Sequence, residues 1–133
     1  MKTNELRIGN FVFTDGELSK ILGIYHDGRI STTKYEGGDL VNFIDPIPLT
    51  EEWLLRHKFE KSKTFQGWDS MKIINDAGGF FHLVYRMYDG RWDFLMIGSS
   101  VIMAEIIYVH QLQNLYFALT GNELEEKEYE NNN

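Results

Sequence analysis

The stretch that decides the fold lies in the second half of the chain and is Leu83-Val84-Tyr85-Arg86-Met87-Tyr88-Asp89-Gly90-Arg91-Trp92-Asp93-Phe94-Leu95-Met96. Asp-Gly tolerates the positive φ angles of a type I′ turn, so Asp89-Gly90 predicts a hairpin with a two-residue loop. That loop sets three apolar pairs on one face, which should therefore be core: Met87 with Trp92, Tyr85 with Phe94, and Leu83 with Met96. The other face then pairs Arg86 with Asp93, which predicts a cross-strand ion pair.

Two more Asp-Gly pairs, Asp15-Gly16 and Asp27-Gly28, predict hairpins in the first half of the chain. They join runs near residues 7–14, 17–26 and 29–35, and a further run follows at 40–45. A meander of this size predicts a small SH3-like barrel. Its strands carry the apolar residues Phe11, Phe13, Leu18, Ile21, Leu22 and Tyr25, with Gly9 and Gly23 at positions where closure needs sharp bends.

A short helix is predicted after this meander, over about residues 51–57. Thr50 is the expected N-cap, Glu51 and Glu52 suit the first turn, and basic residues 56–58 suit the end. Trp53 and Leu54 should anchor the helix in the core, because so short a helix is stable only through tertiary packing.

The remaining elements complete an α+β fold. Runs at 59–65 and 68–74 lead into the hairpin, and Val101–Ile107 predicts a buried strand. A helix should start near Val109, because its apolar residues fall within about 120° of arc, and it should stop at Gly121; these residues are Val109, Leu112, Leu115, Tyr116 and Leu119. The predicted architecture is an SH3-like β meander, a short helix, a second antiparallel β meander and a C-terminal amphipathic helix packed on sheet.

Composition limits the class of protein. The 133 residues carry 13 Lys plus Arg against 20 Asp plus Glu, a net charge of −7, which disfavours non-specific binding to nucleic acid. There is no cysteine, hence no disulfide framework and no thiol nucleophile. No apolar stretch suits a membrane span or a signal peptide, so we expect a cytoplasmic protein. We expect a single domain over residues 1–121 and a mobile acidic tail over 122–133, with five Glu and one Lys, a net of −4.

Motifs for catalysis are missing. The glycine pairs lack the spacing of a phosphate-binding loop, and Ser99-Ser100 does not form a nucleophile elbow. The four histidines are scattered without metal-ligand spacing, although a metal site built only by tertiary contacts stays open. We therefore predict no enzyme, no catalytic residue, no metal and no cofactor.

Two surface features are candidate partner-binding sites. The first, called the basic patch, is the only concentration of basic residues in the chain: Arg56, His57, Lys58, Lys61 and Lys63. It is either a solvated helix end and edge strand or a contact for phosphate or an acidic partner. The second is a group on the final helix outside its apolar arc: His110, Asn114 and Phe117. Phe117 either packs beneath the tail or a loop, or anchors an interface.

Three blocks resemble a family of small proteins from phages and prophages of Bacteroidetes: Leu6-Arg7-Ile8-Gly9-Asn10, Ile47-Pro48-Leu49-Thr50-Glu51-Glu52-Trp53-Leu54-Leu55, and Tyr108-Val109-His110-Gln111-Leu112-Gln113-Asn114-Leu115-Tyr116-Phe117-Ala118-Leu119-Thr120-Gly121-Asn122-Glu123-Leu124. The Arg56-His57-Lys58 segment departs from the glycine-containing helix exit of that family. The basic patch is therefore expected to be particular to this chain.

The resemblance implies a function by analogy. Small acidic proteins of this kind resemble anti-CRISPR inhibitors, with RNA-targeting type VI nucleases as candidate targets. We expect a phage-derived binding protein that inhibits a host defence nuclease by stoichiometric protein contact in the bacterial cytoplasm, without a membrane. The alternative is a phage accessory factor that binds nucleic acid through the basic patch, and direct contact with nucleic acid stays open.

Overall fold

The computed structural model describes residues 5–40, 43–62, 70–74, 80–86, 91–95 and 102–126. These ranges contain two helices and two five-stranded antiparallel sheets, so the mixed α+β class is confirmed. The chain divides into two compact units, Met1–Pro48 with Tyr108–Leu115, and Leu49–Ile107 with Tyr116–Asn133. A single domain over residues 1–121 stays a prediction.

The first unit holds the sheet formed by β1 (Phe11–Thr14), β2 (Glu17–Ile24), β3 (Arg29–Thr32), β4 (Asp39–Leu40) and β5 (Ile44–Asp45). Its strand order is β4-β3-β2-β1-β5. Strands β1, β2 and β3 fall within the predicted runs but are shorter, whereas the single run predicted at 40–45 corresponds to two short strands, β4 and β5, of which β4 starts one residue earlier. Buried apolar side chains of this unit form one cluster: Leu6, Val12, Ile21, Ile30 and Ile44. Closure of the sheet into an SH3-like barrel stays a prediction.

The two Asp-Gly turns of this sheet differ. Asp15 and Gly16 both have positive φ, 51° and 77°, as the type I′ prediction requires. At Asp27-Gly28 that turn type is wrong, because only Gly28 has a positive φ, 90°. Tyr25 N–H donates to the Arg29 carbonyl at 2.8 Å, which leaves a three-residue loop. The Asp27 carboxylate accepts from Arg29 N–H at 3.1 Å and stabilises this longer turn.

The second unit holds α1 (Glu51–Arg56) and a sheet formed by β6 (Glu60–Ser62), β7 (Ser70–Ile74), β8 (Phe80–Arg86), β9 (Arg91–Leu95) and β10 (Ile102–Ile106). The strand order is β10-β9-β8-β7-β6. Thr50 caps α1, since its hydroxyl accepts from Trp53 N–H at 3.4 Å. Leu54 is buried as predicted, whereas Trp53 is only half-buried.

The hairpin register differs from the prediction by two residues. Tyr85 lies opposite Trp92, Leu83 opposite Phe94, and Arg86 opposite Arg91. The predicted loop at Asp89-Gly90, together with Met87 and Met96, lies outside the described residues. A shift of two positions keeps every residue on its own face, and Trp92 and Phe94 are both buried.

The predicted placement of Arg86 directly opposite Asp93 is wrong for the same reason, and the ion pair between them stays a prediction. Asp93 lies opposite Val84 and is itself buried. A cross-strand ion pair in the described part of this sheet joins the Arg91 guanidinium to the Glu105 carboxylate at 2.7 Å. Glu105 lies on β10, the second neighbour of β9. The register of the hairpin formed by β8 and β9 does not specify how β9 pairs with β10.

The second helix, α2, spans Val109–Thr120 and starts and stops as predicted. Gly121 has φ 75°, and its N–H donates to the Phe117 carbonyl at 2.8 Å. A residue in the left-handed conformation commonly ends an α-helix in this way. Val109, Leu112 and Tyr116 are buried, but Leu119 is exposed. None of the described helices is long and apolar enough to span a membrane.

Candidate partner-binding surfaces

The end of α1 has the geometry of a Schellman motif without its usual glycine. Phe59 N–H donates to the Leu54 carbonyl at 3.0 Å and Lys58 N–H donates to the Leu55 carbonyl at 3.2 Å. Both apolar partners, Leu54 and Phe59, are buried. Lys58 consequently occupies the left-handed position with φ 68°, where glycine avoids the steric cost of a Cβ.

The acidic segment, residues 122–126, lies against this helix end. Lys58 Nζ is 2.7 Å from a Glu125 carboxylate oxygen, and Arg56 Nη2 is 3.6 Å from a Glu126 oxygen. The hydrogen bond and charge of Lys58 lower the pKa of the Glu125 carboxyl. Leu124, which precedes these two glutamates in the chain, is only 7% exposed. The start of the predicted tail therefore has an apolar anchor that its composition did not indicate; residues 127–133 lie outside the described residues.

The predicted basic patch is only partly a surface of accessible cations. His57 is buried, which corrects its expected place on the patch; its ring stacks on Trp53 with centroids 5.9 Å apart. Lys61 pairs with Glu51 at 3.2 Å, and Lys63 lies outside the described residues. Arg56, Lys58 and Lys61 thus each face a carboxylate of the same chain, which reduces their attraction for external phosphate.

A cleft of about 490 Å³ adjoins the acidic segment within the second unit. Its walls combine two lysines with three glutamates and a tyrosine: Lys58, Lys72, Glu60, Glu123, Glu125 and Tyr116. A site with this mixture of charges suits a zwitterionic or peptide-like group better than a polyphosphate.

The predicted group on α2 does not form one exposed surface. His110 is only 1% exposed, so its expected place on the exposed side of the helix is wrong. Its Nε2 lies 4.0 Å from a Glu5 oxygen, and burial lowers the pKa of His110, against the opposing effect of Glu5. Phe117 is 40% exposed. Binding of a partner by His110, Asn114 and Phe117 stays a prediction.

Asn114 belongs to a hydrogen-bonded network in the first unit. Its side chain accepts from Asn10 Nδ2 at 2.8 Å and donates to the Glu5 carbonyl at 2.9 Å. Beside it, Gln113 accepts from Phe11 N–H at 2.9 Å and donates to the Gly9 carbonyl at 3.1 Å. The network joins residues near the N-terminus, Glu5 to Phe11, to the first half of α2, and this gives these polar residues a structural role.

A third surface was missed by the sequence interpretation, and we call it the β1–β2 face: Phe11, Phe13, Leu18, Lys20 and Leu22. Phe13 pairs with Leu18 and buried Phe11 with Lys20, so these four share one side of the sheet. Leu22 follows Lys20 by two positions, next to the register shift between Ile21 and Gly23. Lys20 Nζ lies 5.0 Å from the centroid of the Phe11 ring. Leu18 and Leu22 are 43% and 45% exposed. The signal in the sequence was the alternation of Leu18, Lys20 and Leu22.

Among the described residues, no three side chains of the types that bind metal come together. The binding roles considered for the surfaces described above rest on the geometry of those surfaces alone. No family model, curated protein or solved structure matches the chain.

Proposed function

We propose that the protein is a non-enzymatic binding protein that acts on a larger protein without turnover, with the β1–β2 face as its main contact. The observation that carries the proposal is the exposure of Leu18 and Leu22 beside half-buried Phe13 on one sheet face. Exposed apolar patches on small proteins commonly mark contacts with other proteins. Lys20 within the face favours a partner surface that combines apolar side chains with a carboxylate.

The described contacts favour a protein partner over nucleic acid. The basic patch was the chain's best candidate for phosphate binding, yet Arg56, Lys58 and Lys61 face Glu126, Glu125 and Glu51, respectively. Each cation must leave a carboxylate before it contacts a phosphate. A nucleic acid would also approach a protein of net charge −7, which raises the cost of association.

The resemblance of the three sequence blocks to phage and prophage proteins supports the identity of the partner. We infer that the target is a host defence nuclease, with an RNA-guided type VI enzyme as the first candidate, and that the protein covers or distorts a functional surface of it in the bacterial cytoplasm. The mechanism needs no cofactor and no reacting group from this chain.

The test is a titration of the protein into a purified type VI nuclease that cleaves a fluorogenic RNA. We expect inhibition that saturates at one protein per nuclease and is lost in Leu18→Glu/Leu22→Glu, because carboxylates in an apolar contact remain desolvated without partners. The control is Ile8→Glu, which changes an aliphatic residue that is 61% exposed outside the face. Inhibition at far below stoichiometric amounts, or full inhibition by the folded double variant, would contradict the proposal.

A further inference from the structure

The contact between the acidic segment and the end of α1 has the features of a bound ligand. We propose that Arg56, His57 and Lys58, together with the site that buries Leu124, form a binding site for short acidic peptides, and that the acidic segment is its intramolecular ligand. A partner peptide with an apolar residue followed by two carboxylates would displace the segment. This inference is independent of the β1–β2 face.

Three kinds of contact define what the site recognises. Carboxylates of Glu125 and Glu126 meet Lys58 and Arg56. The apolar side chain of Leu124 is buried while the flanking Glu123 and Glu125 are exposed, which is the pattern of an anchor with a polar rim. His57 Nδ1 lies 3.4 Å from the Glu125 carbonyl oxygen, so the peptide backbone is also contacted.

The backbone and a neighbouring aromatic ring hold the two cations of the site, Lys58 and Arg56, in position. Lys58 occupies a left-handed backbone position, φ 68°, that holds its side chain at the turn after α1. The Arg56 guanidinium lies over the Trp53 ring, 4.7 Å from the centroid, which orients its donors. The nearby cleft of about 490 Å³ leaves room for a longer peptide beside Lys58.

The acidic segment is suited to replacement by an external peptide. It follows Gly121, a residue with φ 75° at the end of α2, and its ion pairs are solvent-accessible, with the Lys58 and Glu125 side chains 44% and 76% exposed. A carboxylate of an external peptide can replace either glutamate at small cost, because it offers the same exposed cation an equivalent partner. The tether keeps the segment at a high effective concentration, which lowers the apparent affinity for any external peptide.

A peptide fits this site better than a nucleic acid does. The buried anchor is a leucine side chain, which a sugar-phosphate backbone does not offer. Three glutamates, Glu60, Glu123 and Glu125, line the adjoining cleft, and their charges repel successive phosphates.

The experiment uses full-length protein and a fluorescein-labelled peptide with the sequence of residues 121–133. In the protein, Glu125→Gln/Glu126→Gln weakens the intramolecular contact, so we expect about tenfold tighter peptide binding by anisotropy than for wild type. The matched control is Glu17→Gln/Asp27→Asn, which removes two carboxylates from the exposed ion pairs with Lys34 and Arg29 in the first unit. Its affinity for the peptide should equal that of wild type.

Two reciprocal changes complete the test. Adding Lys58→Glu to the Gln double variant should abolish peptide binding, and a labelled peptide with both glutamates replaced by glutamine should bind poorly. Peptide titrated into ¹⁵N-labelled wild type should shift the amide signals of Lys58 and Leu124, a readout that needs no variant to fold. The proposal is overturned if wild type, Gln variant and control bind equally, if those signals do not move, or if an RNA oligonucleotide binds the Gln variant better than the peptide does. None of these outcomes depends on nuclease inhibition.

Discussion

The side-chain amide of Asn10 donates a hydrogen bond of 2.8 Å to the side-chain oxygen of Asn114, although 104 positions separate the two residues in the chain. The neighbouring Gln113 bonds to backbone on both sides of Asn10, at Phe11 N–H and the Gly9 carbonyl. The first half of α2 is therefore held beside β1 by buried and part-buried polar contacts, whose loss removes side-chain partners from backbone groups.

We expect Gln113→Ala to lower the free energy of unfolding by about 2 to 3 kcal/mol, because it leaves the Phe11 N–H and the Gly9 carbonyl without their side-chain partners. Chemical denaturation of the purified variant measures the loss. Gln111→Ala on the same helix is the matched comparison, since it removes one bond from Tyr108 N–H at the helix start and should cost about 1 kcal/mol. Equal losses in the two variants would contradict the network's importance.

Replacement of Lys58 tests the strained end of α1. Lys58→Gly should be more stable than Lys58→Ala by about 1 kcal/mol, because φ 68° suits glycine and penalises a Cβ. Both variants lose the same ammonium group, so their difference in melting temperature isolates the backbone effect. The control is Ala118→Gly in the exposed part of α2, where the sign should reverse and glycine should cost about 1 kcal/mol. If glycine is less stable than alanine at both sites, the left-handed backbone position of Lys58 is refuted.

Burial of His110 predicts a pH dependence of stability. Its folded-state pKa lies below the unfolded value of 6.5, so the unfolded chain takes up the proton first as pH falls. Stability contributed by the neutral ring is complete above pH 6.5 and declines as pH falls below it. Urea unfolding at about pH 7.5 and about pH 5 should show this decline, and His110→Gln should reduce it. An unchanged slope in His110→Gln would count against the prediction.

Phe117 tests whether α2 contributes to partner binding. Phe117→Ala should weaken nuclease inhibition about thirtyfold, equivalent to about 2 kcal/mol, if the ring is an interface anchor. Its 40% exposure predicts a small change in melting temperature. Leu119→Ala, at a more exposed apolar side chain of the same helix, should keep both inhibition and stability. Full inhibition by folded Phe117→Ala, or a large loss of stability, would remove Phe117 from the interface.

The nucleic-acid alternative makes a separate prediction from the basic patch. If Arg56, Lys58, Lys61 and Lys63 neutralised phosphates, the affinity for RNA would fall with salt with a log-log slope of at most about four. We expect instead weak RNA binding that reversal of these four residues to glutamate barely changes. Tight binding that is salt-dependent and lost on reversal would favour the alternative.

The sequence by itself determined the elements whose causes lie within a few residues. Thr50 and the two glutamates after it specify the start of α1, Gly121 specifies the end of α2, and Asp15-Gly16 specifies a type I′ turn, because capping bonds and positive φ angles are local. The α+β class followed from these signals together with the alternation of apolar residues.

Tertiary structure alone decided the rest. The hairpin register could not be predicted because a shift of two residues leaves both faces of a strand unchanged, so Asp89-Gly90 did not determine whether Arg86 meets Asp93 or Arg91. The pairing of Lys58 with Glu125 spans 67 positions, and no local pattern specifies it. His110 occupied a polar position on the helix in sequence, yet its burial depends on what packs against α2. Leu18 and Leu22 are exposed because β1 and β2 bury Val12, Ser19 and Ile21 on the opposite face, and only the assembled sheet determines which of its two faces is enclosed.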